Sequence, residues 1–271
     1  MESITVLVPT RSDDVQDVRL HHTLQSLLFQ TLPPAQIIVR DEGTVPCVAI
    51  RQVQQFIDLL ARRDITTTYH RAQPQGVSVA RKDLVGSAGQ ESWVCFVDDD
   101  MVLAPDALER LVDAARSSVS PETVGFVQGQ KLEADANRTY VDDINALNGR
   151  RPHGDSPFRV WFGDAALLLL SPQALELIPW EIVTRYREEG LGGEDVAITL
   201  PIADVLPCYA APEALGYHLS PEKSRWAWEV PSDLLQLELL RSHVSATTLR
   251  HALPHVAHYL DLDGDQDVES V

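Results

Sequence analysis

Three consecutive aspartates, Asp98, Asp99 and Asp100, directly follow an apolar run that ends at Val97. Adjacent carboxylates repel one another, and removal from water makes their charged forms still less favourable. Solvent, a cationic side chain or a divalent metal ion would relieve that repulsion. Because Mg²⁺ and Mn²⁺ prefer oxygen ligands and often bind one or two carboxylates together with substrate phosphates, one interpretation is a metal site for a phosphorylated ligand. The other is that the aspartates cap the next helix and face solvent, and the local sequence favours neither.

The directions of the three aspartate side chains follow from strand geometry. Successive side chains of an extended segment point to opposite sides. Asp98 and Asp100 are therefore expected to form a D-x-D pair on one side, with Asp99 on the other.

A second acidic pair, Glu194 and Asp195, follows two glycines at positions 192 and 193. Glycine lets the backbone approach a ligand closely, and the first turn of a helix favours negative charge. A positioned carboxylate can take the proton of an attacking hydroxyl group. Local sequence alone favours ordinary helix-start residues, because acidic first turns are common.

The elements that must position these carboxylates alternate between strands and helices. Apolar runs predict strands at residues 4–8, 37–39, 66–69 and 94–97, with helical apolar spacing between them. This alternation predicts an α/β fold with a parallel sheet and helices on both faces. Ligands of such sheets bind beyond the carboxyl ends of the strands, so Asp41 and the three aspartates are expected at one edge.

The second half of the chain has a looser pattern. Residues 129–157 are polar and predict a long loop, and strand character returns at residues 158–170. From residue 231 the sequence is Leu-rich and then acidic. We expect a main domain at residues 1–230 and C-terminal helices with an acidic tail at 231–271, packed on that domain or extending from it. These helices would provide a surface for a homo-oligomer.

An excess of acidic residues limits the classes of partner. The 271-residue chain has 22 Lys and Arg against 40 Asp and Glu, a formal charge of −18. Nucleic acids and anionic membranes both bind basic surfaces, so neither is an expected partner. The three cysteines are few and far apart, which favours a reducing, cytoplasmic setting. No signal peptide is visible, and the longest apolar run, residues 165–170, is too short for a transmembrane segment.

Five segments in order carry a resemblance to a known family. They read ITVLVPT, IIVRDEG, GVSVARKDLVGSA, WVCFVDDDMVLAPDAL and GLGGEDV. Together they resemble family 2 glycosyltransferases with the GT-A fold, over roughly residues 3–220. The resemblance implies a Rossmann-like, mostly parallel central sheet and metal-dependent, inverting transfer from a nucleotide sugar. A UDP-sugar is the commonest donor in the family, and the acceptor is unknown.

The resemblance also implies roles for individual residues. Nucleotide-sugar contacts are expected at Pro9, Thr10, Arg11, Asp41, Arg81, Asp98 and Asp99. A Mn²⁺ or Mg²⁺ ion is expected at Asp98, Asp100 and His218. Asp195 matches the family's general base, and Glu194 is expected to touch the acceptor. Trp161, Gly163, Asp164 and Gly193 are weaker candidates for donor or acceptor contacts. Two positions depart from the family pattern, since Glu42 and Lys82 stand where Asp and Asn are usual.

Two other functions remain as alternatives. One is a non-catalytic GT-A-like protein that binds a nucleotide or a partner. The other is a sugar-phosphate nucleotidyltransferase, although that class usually carries a glycine-rich loop after the first strand, where this chain reads PTRSDDVQD.

Overall fold

The computed structural model describes residues 3–89, 92–117, 123–133, 156–188, 193–219 and 238–252. The strands in these ranges are β1 (Ile4–Thr10), β2 (Gln36–Asp41), β3 (Thr66–Arg71), β4 (Trp93–Val97), β5 (Met101–Leu103), β6 (Phe126–Glu133), β7 (Phe158–Val160), β8 (Leu167–Leu170) and β9 (Cys208–His218). The helices are α1 (Leu20–Leu28), α2 (Arg51–Ala61), α3 (Val77–Ser87), α4 (Ala107–Ser117), α5 (Pro172–Glu176), α6 (Trp180–Glu188), α7 (Glu194–Val205) and α8 (Ala246–Ala252).

The described strands form one sheet in the order β3-β2-β1-β4-β8-β6-β9-β5, and β7 also pairs with β9. Strands β1 to β4 are parallel, and β8 is antiparallel to both β4 and β6. Strand β9 is parallel to β6, so β1, β2, β3, β4, β6 and β9 all run in one direction. The predicted mostly parallel α/β sheet is confirmed.

The central strands are apolar because both faces of the sheet are covered. Every residue of β1, β4 and β8 is buried, as expected for strands between two helical layers. Alternate residues of β1 enter different cores: Leu7 packs on the side of α6 and α7, and Val6 and Val8 pack on the side of α1 and α4. This sandwich fixes where the carboxyl ends of β1, β2 and β4 lie.

A described part of the predicted C-terminal extension packs on the main domain. Leu240, Leu249 and Ala252 belong to the same apolar core as Ile202 of α7. The hydroxyl and backbone N–H of Ser245 also hydrogen-bond to the Asp204 carboxylate. The division at residue 230 stays a prediction, because residues 220–237 and the acidic tail lie outside the described residues.

Two features of the second half differ from the sequence-based expectation. The predicted loop at residues 129–157 begins as strand, because β6 continues to Glu133 by pairing with β9; residues 134–155 lie outside the described part. The predicted strand at 158–170 is divided into β7 and β8. Between them, residues 161–166 form a loop that carries Gly163 and Asp164. Within the described ranges, no helix has the length and apolar character needed to cross a membrane.

Candidate active site

The acidic turn, residues 98–100, is a turn rather than an extension of β4. The strand ends at Val97, and the backbone N–H of Met101 donates to the carbonyl of Asp98 at 3.2 Å. The alternation expected for an extended segment therefore does not hold here.

Each carboxylate of the acidic turn instead has a partner from a different element. Asp98 lies 3.0 Å from Arg81 of α3, Asp99 accepts a hydrogen bond from Thr10 of β1, and Asp100 lies 3.2 Å from Nε2 of His218 of β9. The register between β5 and β9 explains the last contact, because Met101 pairs directly with His218. These separate partners are how the chain tolerates three adjacent carboxylates.

Burial nevertheless makes this turn electrostatically costly. It raises the pKa of Asp98 despite the charge of Arg81, and it raises the pKa of Asp99 to about 7 despite the hydrogen bond from Thr10. Partly buried carboxylates with raised pKa values in one place are typical of functional sites. A cationic ligand would find this turn favourable.

Arg81 connects the acidic turn to the second acidic pair. Its side chain is only 3% exposed, and its Nη1 lies 2.6 Å from Glu194 and 2.9 Å from Asp195 while Nη2 binds Asp98. Burial alone would lower the pKa of Arg81, but the surrounding carboxylates raise it. The hydrogen bonds that Arg81 makes in this structure therefore go to carboxylates, and its predicted contact with a nucleotide stays a prediction.

Glu194 and Asp195 form the first turn of α7, as predicted. Gly193 precedes them in the left-handed conformation, with φ of 77°, which a side chain would disfavour. Burial and then the neighbouring Glu194 raise the pKa of Asp195 well above the usual carboxylate range, against the opposing charge of Arg81. A carboxylate with a raised pKa is a suitable proton acceptor near neutral pH.

Asp164 reaches the same region from the loop between β7 and β8. Its backbone N–H donates to Oε1 of Gln128 at 2.6 Å, and its carboxylate lies 2.6 Å from Nζ of Lys131. Burial opposes ionisation of Asp164, but the charge and hydrogen bond of Lys131, the N–H of Ala166 and the charge of Arg81 together lower the pKa. The sequence does not predict a role for Lys131, because its polar segment is typical of a loop. Lys131 could have been found by extending the strand that becomes β6 through this position.

Gly163 is required for the close approach of this loop to β6. A Cβ atom at Gly163 would lie 2.6 Å from Oε1 of Gln128, a fully buried side chain that already binds Asp164. Withdrawal of the Gln128 amide would break its hydrogen bond to the N–H of Asp164.

Gly163→Ala should lower the free energy of unfolding by about 1–3 kcal/mol, the usual cost of overpacking a core. Gly86→Ala is the matched control, because nothing lies within 4 Å of the position and the residue is inside α3. There alanine should stabilise the fold by about 0.5–1 kcal/mol. Urea denaturation of both variants measures the two changes in the free energy of unfolding. Equal changes would contradict the packing assigned to Gly163.

Asp41 lies at the end of β2 and is fully buried. Its carboxylate accepts hydrogen bonds from the N–H groups of Gly43 and Cys47, both at 2.8 Å, and from the Tyr69 hydroxyl, and it pairs with Arg71 at 2.9 Å. These contacts occupy the acceptor positions of a carboxylate. Asp41 thus anchors the loop after β2, and a nucleotide base would have to displace one of these partners to bind it.

Asp41→Ala should therefore reduce stability as well as nucleotide affinity. Hydrogen bonds to charged groups contribute about 1.5–3 kcal/mol each, so a loss of at least about 2 kcal/mol is expected. Asp58→Ala, an exposed position on α2, should change stability by less than about 0.5 kcal/mol. Guanidinium denaturation compares the two, and a stable Asp41→Ala protein would show that this network is not an anchor.

Three further predicted residues have surroundings of their own. Arg11 is exposed and pairs with Asp13 at 3.3 Å. The Cζ atom of Arg159 lies 5.0 Å from the centre of the Trp161 ring. The centres of the Trp161 and His251 rings are 5.3 Å apart. Pro9 is a buried residue of β1.

Glu42, at the position where the family usually has Asp, has a structural role. It accepts hydrogen bonds from the N–H groups of Gln75 and Gly76, at 2.9 and 2.7 Å, just before α3. Glu42 thereby holds the start of the helix that carries Arg81.

Asp100 and His218 could together hold a divalent metal. They are in contact, since Asp100 directly precedes β5 and His218 is the last residue of the neighbouring strand β9. The described residues contain no group of three or more His, Cys, Asp or Glu side chains arranged to hold a metal ion. Two protein ligands fit the way in which Mg²⁺ and Mn²⁺ bind when substrate phosphates complete their coordination.

A sequence model described as Glycosyl transferase family 2 matches residues 5–153, more than half of the chain. The chain belongs to glycosyltransferase family 2. The family match covers β1, β2, α3 and the acidic turn, and α7 lies beyond it. No curated protein sequence matches this family 2 chain significantly.

Solved structures resemble this family 2 chain across nearly its whole length. A crystal structure of S. aureus TarS 1–349 aligns with a TM-score of 0.56 and 14% identity, covering 96% of this chain and 88% of TarS 1–349. The complex of TarS 1–349 with UDP aligns with a TM-score of 0.55 and 16% identity, covering 92% of this chain and 74% of that TarS chain. GalNAc-T7 with UDP, GalNAc and Mn²⁺ aligns with a TM-score of 0.54 and 13% identity, covering 88% of this chain and 47% of the GalNAc-T7 chain. At these identities the likeness shows the fold, which is GT-A.

Proposed function

We propose that this chain transfers a sugar from a nucleotide sugar, with UDP as the nucleotide, to a hydroxyl group of an acceptor, with inversion at the anomeric carbon. The observation that carries the proposal is the Arg81 guanidinium, which contacts Asp98 of the acidic turn and both Glu194 and Asp195 of α7. The acidic turn, which would help to hold the metal ion of the donor diphosphate, and the side chains suited to a proton acceptor thus belong to one connected site.

The donor would bind at the carboxyl ends of β1, β2 and β4. Thr10, Asp41 and Asp98 lie at these strand ends, where ligands of open α/β sheets bind. The solved GT-A structures that resemble this chain include complexes with UDP, one of them also with Mn²⁺, and this supports the same donor class here.

Asp100 and His218 would hold a divalent ion, with Asp98 beside them. When bound, such an ion neutralises the charge that develops on a diphosphate leaving group. Since the chain has a formal charge of −18, local help of this kind is needed for it to hold an anionic donor.

Asp195 would take the proton of the acceptor hydroxyl as the hydroxyl attacks the sugar. Arg81 holds one carboxylate oxygen of Asp195 at 2.9 Å, which fixes the orientation of the group. Glu194, bound to the same guanidinium at 2.6 Å, would orient the acceptor. One displacement with one base inverts the anomeric configuration.

The products of the reaction test the proposal against its nucleotidyltransferase alternative. The protein should be incubated with UDP-glucose, UDP-galactose and their N-acetyl-hexosamine analogues, with Mn²⁺ and with added pyrophosphate. UDP as the product, with a free or transferred sugar of inverted configuration by NMR, is expected. Formation of UTP and sugar 1-phosphate would instead identify a nucleotidyltransferase, and a retained configuration would contradict the single displacement.

A further inference from the structure

The mechanism proposed above leaves one buried ion pair unused, between Lys131 of β6 and Asp164. Their side chains are 13% and 10% exposed, and Nζ lies 2.6 Å from the carboxylate. Well-packed apolar residues usually stabilise a core as well as a buried ion pair does, because removing the charges from water is costly. The fold alone therefore does not account for this pair.

The Asp164 carboxylate is rigidly connected to the acidic turn. Its second oxygen accepts a hydrogen bond from the N–H of Ala166 at 2.8 Å. The carbonyl of Ala166 in turn accepts a hydrogen bond from the N–H of Asp98 at 3.2 Å. The loop that carries Asp164 is thus fixed to the residue that starts the acidic turn.

The same loop is also connected to the start of α7. The N–H of Gly163 donates to the Thr199 hydroxyl at 3.2 Å, and that hydroxyl donates to the carbonyl of Asp195 at 2.7 Å. The Lys131–Asp164 pair is therefore linked on one side to the acidic turn and on the other side to the proposed base.

We expect the transferred sugar to lie close to this pair. In a single displacement, the reacting carbon lies between the leaving group and the attacking oxygen, so the sugar ring lies between the groups that hold each of them. The charge of Asp164 is also close enough to contribute to the raised pKa of Asp195. Lys131 and Asp164 thus lie beside the expected path of the sugar.

The chemistry of the pair matches neighbouring hydroxyl groups. An ammonium group only donates hydrogen bonds, an ionised carboxylate only accepts them, and a sugar hydroxyl does both. One hydroxyl can accept from Lys131 while the next donates to Asp164. We propose that Lys131 is a specificity-determining residue that, together with Asp164, recognises two adjacent hydroxyl groups of the transferred sugar; this rests on the function proposed above.

Lys131→Met tests this by separating the sugar from the nucleotide. The affinity for UDP with Mn²⁺, measured by calorimetry, should stay within about twofold of wild type, whereas sugar discrimination should fall. The ratio of kcat/KM for UDP release from UDP-glucose and its 4-epimer UDP-galactose should fall by at least about tenfold, because a site built to bind a hydroxyl discriminates strongly. Asp164→Asn should give the same loss. Arg62→Met, at an exposed position after α2, is the control that should change neither quantity.

The outcomes separate this inference from the function it rests on. An unchanged sugar ratio in Lys131→Met, or an equal loss of affinity for UDP and UDP-sugars, overturns the specificity role while leaving the transferase intact. A wild-type protein that binds none of these nucleotides overturns the proposed function, and the inference with it. If Lys131→Met does not fold, the sugar ratio is measured with Lys131→Arg instead. It keeps a cation beside Asp164 but presents its N–H groups in another geometry, so it should still change the ratio. No change there overturns the inference.

Discussion

Asp195→Asn should reduce sugar transfer by at least about 10²-fold while leaving the affinity for UDP and Mn²⁺ unchanged, because loss of a general base typically costs about 10²–10⁴-fold in rate. The amide has nearly the same size as the carboxylate but cannot accept the proton. It can still accept a hydrogen bond from Arg81, which lies 2.9 Å from the carboxylate, so the local structure should persist. Initial rates at saturating donor, with donor affinity measured separately, give the two quantities.

Glu194→Gln is the matched control for this variant. Glu194 and Asp195 are adjacent on α7, and both contact Nη1 of Arg81. Neighbouring helical residues point about 100° apart, so the two changes should not be interchangeable. Glu194→Gln should act mainly on acceptor affinity. Wild-type turnover in Asp195→Asn would place the base elsewhere, with Asp164 the next to test, and a loss of donor affinity would place the acidic pair in the donor site.

The pH profile gives an independent check on the same carboxylate. Its pKa is raised first by burial, then by Glu194, and further by Asp164 and Asp98, with Arg81 opposing them. A base must be deprotonated, so a raised pKa means that the rate is lost on acidification at a higher pH than for an ordinary carboxylate, whose pKa is about 3.9. The acid limb of transfer should lie above that value and should disappear in Asp195→Asn.

Asp100→Ala should abolish the metal-dependent part of UDP binding with the fold intact. Asp100 is in contact with His218, and both would be protein ligands of the ion. Changes even to the residues that support a metal's ligands typically cost 10–100-fold in affinity, so removal of a ligand should cost at least about tenfold. Asp113→Ala, an exposed carboxylate of α4, is the control and should behave as wild type.

Calorimetric titration of UDP with Mn²⁺ and again with a chelator measures this effect. The wild-type protein should bind UDP more tightly with Mn²⁺, and Asp100→Ala should show one affinity in both conditions. Equal affinities in the wild-type protein would contradict a metal site at Asp100, whatever the variant does.

The core elements could be predicted from sequence because their signals are local. Strands β1 and β4 contain mainly apolar runs that stop before Pro9 and Asp98, and the first turn of α7 has the acidic residues expected there. The expectation that Asp41 and the acidic turn share one edge of the sheet follows from parallel topology, and the pairing of β1 with both β2 and β4 places them there.

The contacts within the site could not be predicted because they are set by tertiary structure. Arg81 has a long side chain, and nothing in its local sequence shows that it turns toward Glu194 and Asp195, which are more than 100 positions away. Lys131 is a polar residue in the part of β6 that pairs with β9. Its local sequence pattern predicts a loop, because the pairing comes from tertiary structure. The apolar run before the acidic turn likewise predicts an extended segment, whereas the observed turn depends on a backbone hydrogen bond that the sequence does not display.

We propose that this family 2 chain breaks the bond between a sugar and a nucleoside diphosphate. The most direct measurement is release of UDP from UDP-sugars by the wild-type protein, with Mn²⁺ and with chelator, beside Asp195→Asn and Asp100→Ala. Release that requires the metal and falls in both variants, with UDP affinity kept in Asp195→Asn and reduced in Asp100→Ala, is the predicted result. Tight, metal-dependent UDP binding without any turnover of a UDP-sugar, in the presence of candidate acceptors, would contradict the claim and identify a nucleotide-binding protein instead.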